Sequence, residues 1–358
     1  MTTNLTSGPP ARLIASFALP LLVGSVVQQL YSLVDAAVVG RILGVDALAA
    51  VGSTGGLAFL LIGFTLGATS GFAIPVARAF GAGDGRALRQ AVVAGTLACV
   101  GIAAVLTAAS VPTARAMLTA LNTPDELLDD ATTFAAVQFA GLAAMLAFNY
   151  LCGVIRALGD SRTPLILLVG SCVLNAGLVL LLVGPLHTGV AGAAGATIIA
   201  QVLATFVGLW VIARRMPDLH LRRTDWSVSG PALRETLHIG LPMGFQMSII
   251  AIGALALQYA INGLGSQSVA AFTAAMRVDQ LAIAPLAALG VAMATFVAQN
   301  RGALAWGRIR RGTAQTTAMS VGAAVVVGAV TIIAGPTLVE SFVGPGHEDV
   351  VELARTYF

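Results

Sequence analysis

The sequence predicts an all-α integral membrane protein built from two related helical bundles. Three observations carry that reading. Hydrophobic residues make up 57% of the 358 and charged residues 10%, against roughly 25% charged in a soluble domain. With a mean hydropathy of +0.90, the chain has too little charge to cover a water-facing surface. Apolar segments long enough to cross a bilayer, about 20 residues each, recur along its length. Finally, one pattern begins twice. LGVDALAA at 43–50 returns as LGSQSVAA at 264–271, 221 residues later, and at that offset Ala77, Gly81 and Ala82 meet Ala298, Gly302 and Ala303. The pair Leu19-Pro20 meets Leu241-Pro242 one residue out of that register. An internal repeat in a hydrophobic chain marks a transporter of two related halves.

The apolar segments run approximately over 13–40, 47–77, 91–111, 131–155, 164–184, 190–213, 240–262, 268–298 and 314–334, and a tenth starts near 350 and is cut off at Phe358. About nine to ten spanning helices are therefore expected. A transmembrane β-barrel would show short alternating segments instead, and none occur.

All 19 basic residues are Arg. They gather in alternate connections: Arg78, Arg86 and Arg89 after the second segment; Arg156 and Arg162 after the fourth; Arg214, Arg215, Arg222, Arg223 and Arg234 after the sixth; Arg301, Arg308, Arg310 and Arg311 after the eighth. The opposite connections hold Arg41, Arg115, the acidic group Asp125, Glu126, Asp129 and Asp130, and, at the cut end, Glu348, Asp349 and Arg355. The positive-inside rule places the arginine-rich side and the N-terminus, with Arg12, in the cytoplasm. The expected location is a bacterial cytoplasmic (inner) membrane. Arginines confined to short loops serve topology, so the net charge of +3 does not indicate nucleic acid. Cys99, Cys152 and Cys172 lie in apolar stretches and read as packing residues, with no disulfide framework. No cleavable leader is visible, because the first apolar segment runs on past the short core of a signal peptide.

The longest hydrophilic stretch, 214–239, precedes the restart of the repeat at Leu241-Pro242. It predicts three parts: a first lobe of six helices over 1–213, a cytoplasmic linker over 214–239, and an incomplete second lobe over 240–358. Residues 226–239 read as a short interfacial helix with Trp226 at headgroup depth.

Charges within the spans are few. Asp35, in LYSLVDAAVVG, is the clearest, and a carboxylate there costs about 2.5–3.5 kcal/mol on insertion scales. Such a group faces a cavity or a partner, and it can take up and release a proton. The alternative is a carboxylate near the end of the first helix, solvated or held by Tyr31. At the repeat offset Asp35 meets Ala256, so the second copy packs without an acid. Gln28, Gln29, Asn149, Asn175, Thr197 and Gln201 supply further polar groups on four helices of the first lobe. They suit either a pocket around Asp35 or ordinary interhelical hydrogen bonds. Tyr31 and Gln246 are candidates for the same cavity. Arg277 and Asp279, two residues apart on one helix, do not face each other, so each needs its own partner or a water-filled cleft. Pro20, Pro75, Pro164, Pro242 and Pro285 fall within or at the ends of helices, where they remove hydrogen bonds; bent helices suit alternating access, although membrane helices also tolerate proline.

Enzyme signatures are missing. His187, His220, His238 and His347 show no metal-ligand spacing, and no phosphate-cradling Walker loop is present. No cofactor or resident metal is expected. GAGDG at 81–85 reads as a glycine-rich turn, without the preceding strand that a dinucleotide site requires.

Three stretches carry a resemblance: LPLLVGSVVQQLYSLVDAAVVGRILGVDALAAVG (19–52), RALGDSRTP (156–164) and AAMRVDQLAIAPLAALGVAMATFVAQNRGA (274–303). They resemble the multidrug and toxic compound extrusion (MATE) transporters, in the bacterial DNA-damage-inducible-like branch, and the similarity covers essentially the whole chain. The resemblance implies twelve helices in two six-helix bundles. It also implies antiport, exporting organic cations and other amphipathic compounds in exchange for protons or sodium ions. Asp35 matches the branch's coupling carboxylate, Asn175 its partner on the fifth helix and Thr197 a threonine on the sixth. Two departures stand out. Val179 occupies the place of a second acid four residues after Asn175, which favours protons over sodium, since hard cations want several oxygen ligands. The second lobe also lacks three of its expected helices. The expected function is export of drugs or metabolites in exchange for protons. The alternatives are a non-transporting truncated membrane fragment or binding partner, and a flippase for lipid-linked precursors.

Overall fold

The computed structural model describes residues 4–121, 123–262 and 266–343, and all regular structure among them is helical. In chain order the helices are α1 (Pro10–Ile42), α2 (Val45–Ser53), α3 (Gly55–Gly81), α4 (Gly85–Ala120), α5 (Asp125–Ala140), α6 (Leu142–Ala157), α7 (Arg162–Val183), α8 (Gly189–Arg215), α9 (Gly230–Asn262), α10 (Ser266–Gly302) and α11 (Trp306–Val343). Eight of them are long and apolar enough to cross a membrane, and α5 with α6, bent by 46° at their junction, make a ninth if read as one broken span. The segment expected near 350 lies outside the described residues.

Two boundaries depart from expectation. The apolar run over 47–77 divides at Thr54 into α2 and α3; hydropathy alone does not see that break. The interfacial helix expected over 226–239 is not separate, because residues 230–239 form the first turns of α9. Only the short turns at Pro217–Leu219 and Arg223–Trp226 remain as independent structure between α8 and α9.

Two of the arginine-rich turns share one design. Gly83 and Gly159 adopt φ of 70° and 82°, a region that only glycine enters without strain. In each case the next residue is an aspartate that caps the following helix. Asp84 accepts the backbone N–H groups of Arg86 and Ala87 at 3.0 and 2.9 Å, and Asp160 accepts those of Arg162 and Thr163 at 3.0 Å each. Such a cap is worth about 1 kcal/mol. The GAGDG and RALGDSRTP motifs thus fold as helix-stop, helix-start signals.

Packing is tightest between α3 and α9. A Cβ on Gly67 would run into the backbone of Met243 and Gly244, and one on Gly71 into Gly240. In return Gly240 leaves space for the ring of Phe72, which is fully buried. Small residues let membrane helices approach at the backbone. On the other flank, α1 meets α10 through Ile14, Phe17, Ala288, Ala292 and Phe296.

The connections rich in arginine come together at one face. Arg78 pairs with Glu235, Arg89 meets Asp225 at 2.9 Å, and Gln299 donates to the carbonyl of Ala157 at 2.8 Å. At that face the first copy is therefore tied to the connection before the second copy, to the first turns of α9 and to the end of α10.

Candidate functional site

Asp35 sits one turn beyond Tyr31 on α1, on the same side of the helix, since positions four apart are neighbours. The Tyr31 hydroxyl meets Thr197 Oγ1 of α8 at 3.1 Å, and Asn175 Nδ2 of α7 donates to that same oxygen at 2.9 Å. Three helices are thus joined through one threonine hydroxyl. Asn175 is buried and Tyr31 half-buried. Thr197 already accepts from Asn175, which leaves its own proton for the tyrosine oxygen, or lets it accept a second time.

The Asp35 carboxyl is half-buried, and its Oδ1 is buried with no hydrogen-bond partner among the described residues. A buried acceptor left without a donor costs about 1–3 kcal/mol, more when charged, so such a group calls for an explanation. Next to it lies an apolar wall. Val39, one turn beyond Asp35, and Val179, one turn beyond Asn175, belong to a single buried cluster with Val183, Val190 and Ala193. The arrangement offers one carboxylate, an amide, a hydroxyl and a phenol beside aliphatic carbon. It can hold or release a proton.

Four of the other expected cavity residues make no hydrogen bond to the Asp35 group. Asn149 turns back to donate to Met145 O within α6 at 2.9 Å. Gln28 and Gln246 are exposed and Gln201 is half-buried, none of them tied to the Asp35 group by a hydrogen bond. It is Gln29, the neighbour of Gln28, that reaches across: its Nε2 donates to Gln280 Oε1 of α10 at 3.1 Å. Asp279 is half-buried on α10, and the side chain of Arg277 lies outside the described residues.

A second polar cluster was not marked by sequence reasoning. Gln299 and Asn300, both fully buried at the end of α10, bind the segment before α1. Leu5 N–H donates to Gln299 Oε1 at 2.9 Å, and Asn300 Nδ2 donates to Leu5 O at 3.2 Å. Arg308 adds bonds to Leu5 O, Gly8 O and Asn300 Oδ1. Two adjacent amides closing an apolar run were the available signal.

The pattern of the MatE family matches residues 20–181 and 242–358, one block in each copy of the repeat. The chain belongs to the MatE family. Among its relatives is the probable multidrug resistance protein YoeA of Bacillus subtilis (strain 168), 32% identical over 87% of this chain and 69% of that protein. DNA damage-inducible protein F of Escherichia coli (strain K12) is 32% identical over 55% of this chain and 43% of its own length. A solved MATE structure described as being in the bent conformation superposes with a TM-score of 0.90 at 25% identity, over 99% of this chain and 80% of that one. This MatE protein thus has the MATE fold and is a multi-pass membrane transporter. It spans about two thirds of the length of YoeA.

Proposed function

We propose that this MatE protein is an antiporter that exports amphipathic or cationic compounds, drugs or metabolites, from the bacterial cytoplasm in exchange for protons, with Asp35 as the carrier. The observation that carries this reading is the buried, unpartnered Oδ1 of Asp35 beside the Tyr31–Thr197–Asn175 chain. Protonation removes the charge that has no partner and supplies an O–H donor. The cost of the site therefore depends on one proton, and so does the preferred packing of α1 against α7 and α8. In the cycle, the proton enters from outside, Asp35 becomes neutral, α1 repacks and substrate held between the two copies of the repeat leaves outward. Deprotonation toward the cytoplasm resets the site.

Val179 supports protons over sodium. It fills with a buried isopropyl group the position from which a second carboxylate would reach an ion, and hard cations need several oxygens around them. The arginine-rich face is read as cytoplasmic, in the inner membrane, by the positive-inside rule.

The test is transport of a fluorescent organic cation in proteoliposomes under an imposed pH gradient, with a sodium gradient as the second arm. The reading requires uptake driven by the proton gradient alone and its loss in Asp35→Asn. Transport by Asp35→Asn at the wild-type rate, or driven only by sodium, would overturn it.

A further inference from the structure

A cavity lies apart from the Asp35 group. It encloses about 860 Å³ between α4, α6 and α8, and none of its lining comes from α9, α10 or α11. Its α4 wall runs from Val92 to Ala108, about 24 Å along the helix axis. That exceeds the roughly 15 Å of hydrocarbon in one leaflet. The walls are mostly alanine, valine and leucine, and their hydroxyls are already engaged: Tyr150 donates to Val92 O at 3.0 Å, Thr107 to Phe139 O at 3.2 Å, and Thr96 and Thr205 bond back to their own helices; Cys99 adds a buried thiol. Nothing in the barrel of the groove recognises a polar ligand. Val100 and Leu209 on its rim are exposed, at 62% and 49%, so it opens sideways toward lipid.

At the arginine-rich end the groove is walled by Leu219, Leu221 and Trp226 of the connection between α8 and α9. That connection is fixed. Asp225 is buried, accepts the backbone N–H of Arg222 at 2.7 Å and pairs with Arg89 of α4. Held there, the connection exposes Arg222 and Arg223 beside Leu221, with Arg214 and Arg215 at the end of α8; Asp218 is the exposed acid among them. An apolar slot as deep as a leaflet thus ends under a surplus of positive charge.

We propose that this groove is a binding site for an anionic phospholipid, with one acyl chain along α4 and the phosphate on the arginines of the α8–α9 connection. Charge complementarity selects the lipid class. A zwitterionic lipid fills the slot equally well but gains less from four exposed guanidinium groups. Basic side chains near an anionic lipid surface are attracted to it electrostatically.

The test uses the purified protein in detergent, titrated with phosphatidylglycerol or with phosphatidylcholine of the same chains, reading the thermal unfolding midpoint. A ligand that binds only the folded state raises the midpoint, here by about 3 °C more for phosphatidylglycerol than for phosphatidylcholine. The surface variant Arg215→Gln/Arg223→Gln keeps the basal midpoint and loses that difference. Ala104→Trp, at an exposed position on the groove wall, loses the response to both lipids, and native mass spectrometry then shows fewer retained lipids. Equal stabilisation by the two lipids in the wild type, or a full phosphatidylglycerol preference in the double arginine variant, overturns the proposal. So does stabilisation by an uncharged drug-sized amphiphile with no response to either lipid.

Discussion

Gly81 and Gly302 stand 221 residues apart, at the same place in the two copies of the repeat, and each faces the backbone of the other copy. Gly81 of α3 abuts the carbonyl of Gln299, and Gly302 of α10 abuts the carbonyl of Arg78. Arg78 and Gln299 are themselves 221 apart. The contact is reciprocal, which places the pseudo-symmetry axis between these two helix ends.

No side chain fits there. Gly81→Ala and Gly302→Ala each force backbone apart, and overpacking of this kind costs about 1–3 kcal/mol. Both variants are expected to unfold at lower temperature than the wild type. Gly101 on α4 has open space around its missing Cβ, so Gly101→Ala is expected to be neutral or to stabilise by up to about 1 kcal/mol. Equal midpoints for Gly81→Ala and Gly101→Ala would contradict this account.

The link between Asn175 and Thr197 predicts non-additive substitutions. Thr197→Val leaves the buried Asn175 amide without its acceptor, at about 1–3 kcal/mol. Asn175→Leu removes the demand along with the amide. The double variant is then less destabilised than the sum of the singles, by at least about 0.5 kcal/mol. Additive effects in a thermal or denaturant cycle would mean that the hydrogen bond contributes nothing.

Gln299 ties Leu5 to Ala157, residues of the first copy that approach α10 from two directions. Gln299→Ala breaks both bonds. The reporter is Leu5→Cys, buried in the wild type at 1% exposure, probed by maleimide labelling from the arginine-rich face. Labelling is expected to accelerate about tenfold in the Gln299→Ala background, which corresponds to about 1.4 kcal/mol of opening free energy. Unchanged labelling would show that the segment before α1 is held by packing alone.

The Asp225 carboxyl is held below the usual carboxylate range, first by the backbone N–H of Arg222 and then by the Arg89 guanidinium, against the cost of burial. A depressed folded-state value stabilises the fold above the unfolded value of about 3.9, and that contribution is lost as pH falls through the folded value. Asp225→Asn is therefore expected to unfold at lower temperature than the wild type at pH 6, and the gap is expected to close below about pH 4. A gap that stays constant down to pH 3 would exclude Asp225 as its source.

Much of the fold was legible because membrane spans announce themselves by composition, and turns such as Gly83-Asp84 by their chemistry. The Asp35, Asn175 and Thr197 trio was marked by type and by resemblance, and the structure sets the last two in hydrogen-bond contact. What was not legible is what no local pattern encodes. Whether Gln28 or Gln29 points at α10 is a rotation of about 100° on one helix, which an apolar background does not fix. The bond from Leu5 to Gln299 spans 294 residues, and no local pattern records it. The helix expected over 226–239 read as separate because Arg234, Glu235 and His238 interrupt the apolar pattern that would have joined it to α9.

The glycine contacts of α3 have a mechanical consequence. Gly56 lies against Leu255, Gly63 against Met247, Gly67 against Met243 and Gly71 against Gly240, a line that follows the helix for about 22 Å. Two bodies joined along a line cannot part evenly on all sides. A motion that keeps this line closed is a swing about it, like that of book covers about a spine, with travel that grows with distance from the spine. The free edge is then the α1–α10 flank, where the packing of Ile14 and Phe17 and the Gln29–Gln280 bridge are the clasps.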